Sequence, residues 1–488
     1  MGTGVRGPQS AASRAEPPGN DDMVDLLYNM ERPSPRIEAA IMFVLDNLRI
    51  SAERADPPAL WDLPHLVYGG APSARPNGVV VLQRDGDIVW PELLSGAVDP
   101  ARLDGVVAFD LLGAIAALLA DDVHLGLAPA AFDEHERLVY RESLPARAGF
   151  GDRPIVDAYV AFLGRLLRTR LGVKDRPRWP QGRKAAIGLS HDVDLPDRYA
   201  LLGSVLRPWR LRRQPRTYLL KAIELTASRV RDPAPSACWL FDEVMATEGA
   251  LGFTSTFFFA TVPFHATWGA PEDVAYDVGE PRFRRTVRSL RSAGFEVGLH
   301  ASYRAHEDST RMVAERMRLQ AAADAEIVGV RHHYWHLGRD VAAALRAHEE
   351  AGLGYDSSIA FNDHVGFRRS VSLPFHPYDP VLRRPLRTLE LPTCCMDGNL
   401  FYWSDDIEGA VAAVDAVVDQ VAGVGGVAIL DWHVQASYPA ANGFHAWGVA
   451  YQEILRLLAS RPELWVTDLG SIAAWTAASN RSSSPVRA

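Results

Sequence analysis

From residue 186 onward the chain alternates short, unbroken apolar runs with longer segments in which apolar side chains return every three or four positions. The short runs at 186–190, 253–260, 295–299, 326–330, 386–391, 427–431 and 464–468 read as buried parallel strands, because a strand covered on both faces has no polar side to show. Between them 281–293, 309–325, 339–351, 407–422 and 444–459 carry the spacing of amphipathic helices. Seven or eight strand–helix units spread over roughly 300 residues predict a distorted β/α barrel.

The first 185 residues are less regular. Ile37, Ile41, Val44, Leu45 and Leu48 predict a helix opening the folded part within 23–50, strands are expected near residues 65 and 78, and helices at 109–120 and 154–170. This describes a smaller α/β domain over 23–175. Residues 171–185 hold Pro177, Pro180 and a cluster of charges, which sets the boundary there and the barrel at 183–477. Residues 1–22 and 478–488 are rich in Ser, Pro, Gly and Arg without periodicity and are expected to be disordered.

Composition narrows the class. At 48% hydrophobic and 23% charged, the 488 residues are those of an ordinary globular protein, and 60 acidic against 51 basic side chains give no reason to expect a nucleic-acid partner. The longest apolar run, Val106 to Ala120, is broken by Asp110 and too short to span a bilayer, and the N-terminus lacks the apolar centre of a signal peptide. Cys238, Cys394 and Cys395 make neither a disulfide framework nor a CxxC site, so a cytoplasmic protein with reduced thiols is expected. The basic stretch 201–231, with Arg207, Arg210, Arg212, Arg213 and Arg216 around Trp209, reads as a solvated helical face.

Chemistry collects at the carboxyl ends of the expected strands, where loops of a parallel barrel vary without disturbing the sheet. The run AIGL stops at Ser190, His191, Asp192, Val193 and Asp194; FEVGL runs into His300, and EIVGV into Arg331, His332, His333 and Tyr334; VAILD ends at Asp431 before Trp432 and His433. Five of the 15 histidines fall between 300 and 336. Two carboxylates two residues apart, with imidazoles at neighbouring strand ends, describe a cation site better than a packed core.

In this order the pieces resemble the polysaccharide deacetylase family, the NodB homology domain of carbohydrate esterases, over roughly residues 183 to 475. SHDVD is similar to the family's first motif, GLHASYRAH to the second, RHHY to the third, GLGYDSS to the fourth and LDWH to the fifth. The resemblance implies a barrel that removes N-acetyl or O-acetyl groups from glycans with a divalent metal, with zinc expected and nickel or cobalt as alternatives. It assigns Asp192 as general base, Asp194 and His300 as metal ligands, Arg331 as the residue holding Asp192, the backbone at Tyr334 as an oxyanion contact and His433 as general acid. Asp431, Asp356 or Asp397 would back His433.

One departure follows from the sequence itself. Four residues beyond His300, where the family places a second histidine, stands Arg304, which cannot ligate a cation. A hydrolytic zinc site needs three protein ligands. His333 is expected to be the third, since it alternates with Arg331 and faces the same side if the strand extends that far, with His306 and then His191 behind it. Arg368 and Arg369 are candidates for gripping an anionic substrate group, and Trp335, Trp432 and Trp447 for sugar-stacking walls, although Trp447, in a helical stretch, reads better as core. The expected partner is an amino-sugar or other carbohydrate substrate. Two other readings stay open: a catalytically silent relative that binds glycan, and hydrolysis of another C–N bond such as a formamide.

Overall fold

The computed structural model describes residues 24–55, 64–69, 79–82, 106–124, 126–151, 153–196, 238–401 and 406–483. The expected tail at 1–22 and the basic stretch 201–231 lie outside them.

Five short strands, β1 (Leu26–Met30), β2 (Ala52–Arg54), β3 (His65–Tyr68), β4 (Val79–Leu82) and β5 (Val106–Val107), form an all-parallel sheet in the order β2-β1-β3-β4-β5. The segment 23–50, expected as one helix, is a strand followed by the helix Pro35–Leu48. Proline is tolerated only in a helix's first turn, so Pro35 marks the start, and Ser34 before it accepts from the Ile37 N–H as its cap. All five apolar residues that signalled a helix belong to this shorter one.

The second sheet is made by β6 (Ala185–Val193), β7 (Thr256–Ala260), β8 (Glu296–Ala301), β9 (Gly329–His332), β10 (Tyr355–Asp356), β13 (Leu389–Glu390), β14 (Thr393–Met396), β15 (Val427–Asp431) and β16 (Leu464–Thr467), while β11 (Tyr378–Asp379) and β12 (Arg384–Pro385) form a separate antiparallel pair. Eight parallel strands follow one path, β13-β10-β9-β8-β7-β6-β15-β14, and β16 lies along the first half of β6. The two outermost strands are joined only by Leu391 and Pro392. Three Cα steps reach about 11 Å at most, so a sheet eight strands wide has to curl until its edges nearly meet. The expected distorted barrel is the fold.

Strand alternation sorts every side chain to the interior or the exterior. Ala185, Ile187 and Leu189 of β6 face outward into a core with Val414, Val418 and Ile454. Ala186 and Gly188 face inward with Phe258, Tyr355, Val427 and Ile429, and Leu469 and Ile472 pack with them from below. Close packing leaves Gly329 no room for a side chain, since a Cβ there would run into the Tyr355 ring. Leu469 opens the helix Leu469–Ser483, which carries the chain through residues 478–483 that composition had assigned to a disordered tail; burial of Ser479 fixes its far end.

The segment expected to hold the domain boundary is fastened at both sides. Arg176 pairs with Asp25 at 2.5 Å, and Arg178 donates to the carbonyls of Asn47 (2.8 Å) and Gly425 (2.7 Å). A single apolar core runs from Leu26, Leu45 and Val160 to Val341, Leu345, Ile359 and Phe375 of the barrel half. Arg368 and Arg369 belong to this seam rather than to a substrate site: both are buried, 3.7 and 3.6 Å from Asp121.

Candidate metal centre

The alternation that fills the lower barrel delivers the polar residues above it. On β6 the inward series continues through Ser190 and Asp192, with Asp194 just past the strand's end; on β8 it reaches His300, on β9 Arg331 with His333 just beyond, and on β15 Asp431 with His433 two residues further on. These side chains converge on one mouth at the carboxyl ends of the strands.

Asp194 is the hub. Its Oδ1 lies 3.2 Å from His300 Nε2, and its Oδ2 lies 3.3 Å from His333 Nε2 and 3.4 Å from His433 Nε2. Asp194, His300 and His333 offer ligand atoms that all lie within 4.8 Å of one another, the one such group among the described residues. Ligands about 2.0–2.1 Å from a tetrahedral ion stand roughly 3.3 Å apart, which the Asp194 contacts match.

The tautomer of His300 also suits a ligand. Its Nδ1 lies 3.0 Å from the Arg331 carbonyl oxygen and must donate to it, which leaves the lone pair on Nε2. That Nε2 and Asp194 Oδ1 are buried without a hydrogen-bond partner, an arrangement a cation would satisfy. Burial alone would raise the Asp194 carboxyl, yet the imidazoles of His333, His300 and His433 gathered around it hold it well below the usual range. Burial lowers His333, and Asp194 more than reverses this, pushing the imidazole up to about 10. A metal ion bound here would displace that proton.

Beside the hub, Asp192 is gripped by Arg331 (Nη1 to Oδ1, 3.1 Å) and lies 3.6 Å from His300 Nε2. Burial would raise it, but His300, Arg331 and His433 keep it below its ordinary value. Arg331 is wholly buried, stacks on Phe258, and donates to Ser190 Oγ (2.8 Å), the Ser357 carbonyl (3.1 Å) and Thr393 Oγ1 (3.2 Å). Asp431 stands 2.8 Å from its Nη1 but off the N–H axis, a close contact that is not a hydrogen bond. Burial pushes the Asp431 carboxyl well above its usual range in spite of Arg331.

Of the three carboxylates considered for His433, the partner is Asp397. Its Oδ1 lies 2.9 Å from His433 Nδ1, and its Oδ2 accepts the backbone N–H of His433 at 2.8 Å. Burial lowers the His433 imidazole, but Asp397 and Asp194 lift it well above its usual range. Asp356 points outward from β10, 3.7 Å from His348, and Asp431 is taken by Arg331.

The runner-up ligands lie elsewhere. His191 faces the outer core, where it contacts the Trp432 carbonyl and Glu248 at 2.8 Å each. His306 packs 4.4 Å from the His336 ring, and Arg304 is exposed beside Glu307 because the chain turns after β8 instead of continuing as a helix. Tyr334 follows His333 in a left-handed turn, φ 60°, with Trp335 at φ 49°. Trp335 and Trp432 are buried and form no sugar wall, and Trp447 stacks on Phe401. Sequence reasoning missed Asp273, buried in the loop after β7 at 3.9 Å from His333 Nδ1; that loop has no periodicity to flag it.

No protein-family model and no curated protein sequence matches the chain. Solved structures do. A protein assigned as a polysaccharide deacetylase from Mycobacterium smegmatis is similar at 17% identity and TM-score 0.41, over 62% of this chain and 92% of that one. The catalytic domain of a peptidoglycan N-acetylglucosamine deacetylase from Eubacterium rectale aligns at 9% identity and TM-score 0.32, over 62% and 95%. A CE4 family pseudoenzyme from Bacillus anthracis aligns at 9% identity and TM-score 0.29, over 59% and 65%. No helix among the described residues is long and apolar enough to cross a membrane.

Proposed function

We propose that the protein is a metal-dependent hydrolase that removes an N-acyl group, foremost N-acetyl, from an amino sugar or glycan precursor. The observation that carries this reading is the group Asp194, His300 and His333 set between an arginine-held carboxylate, Asp192, and a carboxylate-backed imidazole, His433. Asp194, His300 and His333 would hold a divalent cation, with zinc suggested by the one-carboxylate, two-imidazole donor set and nickel or cobalt as alternatives. When bound, the cation supplies acidity to a water molecule and polarises the amide carbonyl.

The chain's own residues do the rest. Asp192 takes the proton from the attacking water, and Arg331 keeps that carboxylate ionised and aimed at the mouth. The backbone at Tyr334 lies beside the ligand turn, where an N–H could meet the developing oxyanion. His433, charged through Asp397, hands its proton to the departing amine nitrogen as the C–N bond breaks. The three buried cysteines, none in a disulfide, fit a reducing compartment such as the cytoplasm.

The test is release of acetate from a panel of N-acetylated amino sugars and short glycans, run beside their N-formyl analogues with the protein loaded with zinc, nickel or cobalt. Acetate release that disappears in Asp192→Asn supports the reading. Formate release alone would move the assignment to another C–N bond, and a protein that takes up none of the three metals would overturn it.

A further inference from the structure

Three side chains at the mouth have their second ring nitrogen or second oxygen spoken for, and one does not. His300 is oriented by the Arg331 carbonyl, His433 by Asp397, and Asp192 by Arg331. His333 has no hydrogen bond on Nδ1, and Asp273 stands 3.9 Å away. Its position therefore depends on the backbone that carries it, and that backbone enters two consecutive left-handed residues, Tyr334 and Trp335. A non-glycine pair in that region persists only where the surroundings hold it.

What holds it comes from the other half of the chain. Asp133 accepts the backbone N–H groups of His135 (2.9 Å) and Arg137 (3.0 Å) and the Arg137 Nε at 2.8 Å, making a tight turn between the bridged residues Phe132 and Leu138. From this turn Arg137 Nη1 donates to the Tyr334 carbonyl at 3.2 Å and to Asn362 Oδ1 at 2.8 Å, with its guanidinium 5.9 Å from the Tyr334 ring. His135 adds a 2.9 Å hydrogen bond to the Tyr303 hydroxyl and lies 4.6 Å from the Tyr334 ring. Tyr303 in turn donates its backbone N–H to Asp273. The turn thus touches the loops after β8, β9 and β10 together.

We propose that Arg137 is a positioning residue of the metal centre, clamping the His333–Tyr334–Trp335 turn, so that the N-terminal half completes the site instead of merely adjoining the barrel. The assignment rests on the reading of Asp194, His300 and His333 as metal ligands. An arginine suits the task because its planar fork reaches two acceptors on different loops while a third donor stays anchored on Asp133, a geometry that lysine cannot copy.

The test is zinc affinity, by calorimetric titration of the full chain, for wild type, Arg137→Ala, Arg137→Lys and Arg369→Ala, with melting temperatures recorded alongside. Outer partners of metal ligands are worth about 10- to 100-fold in affinity, and Arg137→Ala is expected to weaken zinc by that factor, with Arg137→Lys recovering part of it. Arg369→Ala loosens the same seam away from the mouth, at Asp121 and the Leu119 carbonyl; it should lower the melting temperature and leave zinc affinity within about twofold. Equal zinc affinity in wild type and Arg137→Ala, or an equal loss in Arg369→Ala, overturns the proposal. If Arg137→Ala does not fold, Arg137→Lys and Asp133→Asn carry the same comparison. Wild type that fails to bind zinc, nickel or cobalt sinks the metal reading itself, whereas zinc uptake without deacylation leaves this test standing.

Discussion

His300 and Arg331 meet through the backbone: the imidazole Nδ1 lies 3.0 Å from the arginine's carbonyl oxygen while the arginine's side chain grips Asp192. One residue of β9 therefore fixes both the tautomer of a candidate ligand and the direction of the candidate base. Replacing ligands should separate the two roles. His300→Ala and His333→Ala are each expected to abolish tight metal binding, and His306→Ala to retain it, because His306 lies against His336 outside the group. Metal content by atomic emission after dialysis decides. Full occupancy in His333→Ala with loss in His306→Ala would reverse the ligand assignment.

Asp192→Asn should keep the metal and lower turnover by about two to four orders of magnitude, the usual weight of a general base. Loss of the metal in this variant instead would exchange the roles of Asp192 and Asp194.

Asp397→Asn removes the charge that lifts His433. The expected outcome is a loss of roughly 10- to 100-fold in rate with metal content unchanged. The alkaline limb of the pH–rate profile, where His433 gives up its proton, should also move to lower pH. A profile that keeps its alkaline limb in place would remove His433 as the acid.

Arg331→Met should destabilise the fold by about 3–5 kcal/mol, since it leaves the Asp192 carboxylate buried without its cation and with Asp431 beside it. Adding Asp431→Asn should return part of that loss, as Asp431 already favours its neutral form. Urea denaturation of the single and double variants measures both, and no recovery in the double variant would mean that packing on Phe258 dominates.

Glu315 offers a pH test away from the proposed ligands. It is buried on the helix Ser309–Ala323 and accepts the Ser302 N–H at 2.9 Å and the Ser302 hydroxyl at 2.5 Å. Burial pushes its carboxyl from an ordinary 4.5 up to about 7. A raised folded-state value means that its contribution to stability is full below pH 4.5 and is lost as the pH climbs toward 7. Glu315→Gln should therefore be more stable than wild type at pH 8, by on the order of 3 kcal/mol, with the difference gone at pH 4. A difference that does not change with pH would refute the assignment.

Much of the barrel was legible because its strands are short apolar runs, and β15 falls where periodicity placed it, at Val427–Asp431. The errors at the carboxyl ends of β6, β8 and β9 share one cause. Asp192, His300 and Arg331 looked like loop because they are polar, yet each is a paired strand residue whose neighbours in sequence turn to the exterior. A two-residue period with polar positions facing the mouth resembles a strand's end when read from hydrophobicity alone. His191 failed as a ligand for the same reason, since it stands between two inward residues and must point out. The contacts of Arg137 with Tyr334 and Asn362 left no local pattern to read, because they join residues about two hundred positions apart.

β6 has three neighbours, β7, β15 and β16, and two of them come from residues 427–467. On a ribosome the strand that bears Asp192 and Asp194 would emerge with much of its hydrogen-bonding edge bare, and would stay so until some 270 further residues had been synthesised. Helix Leu469–Ser483, which closes the barrel from below, arrives later still. The candidate metal centre is thus among the last parts of the molecule to acquire its walls, and a nascent chain stalled before residue 427 would present a bare parallel edge in need of a chaperone.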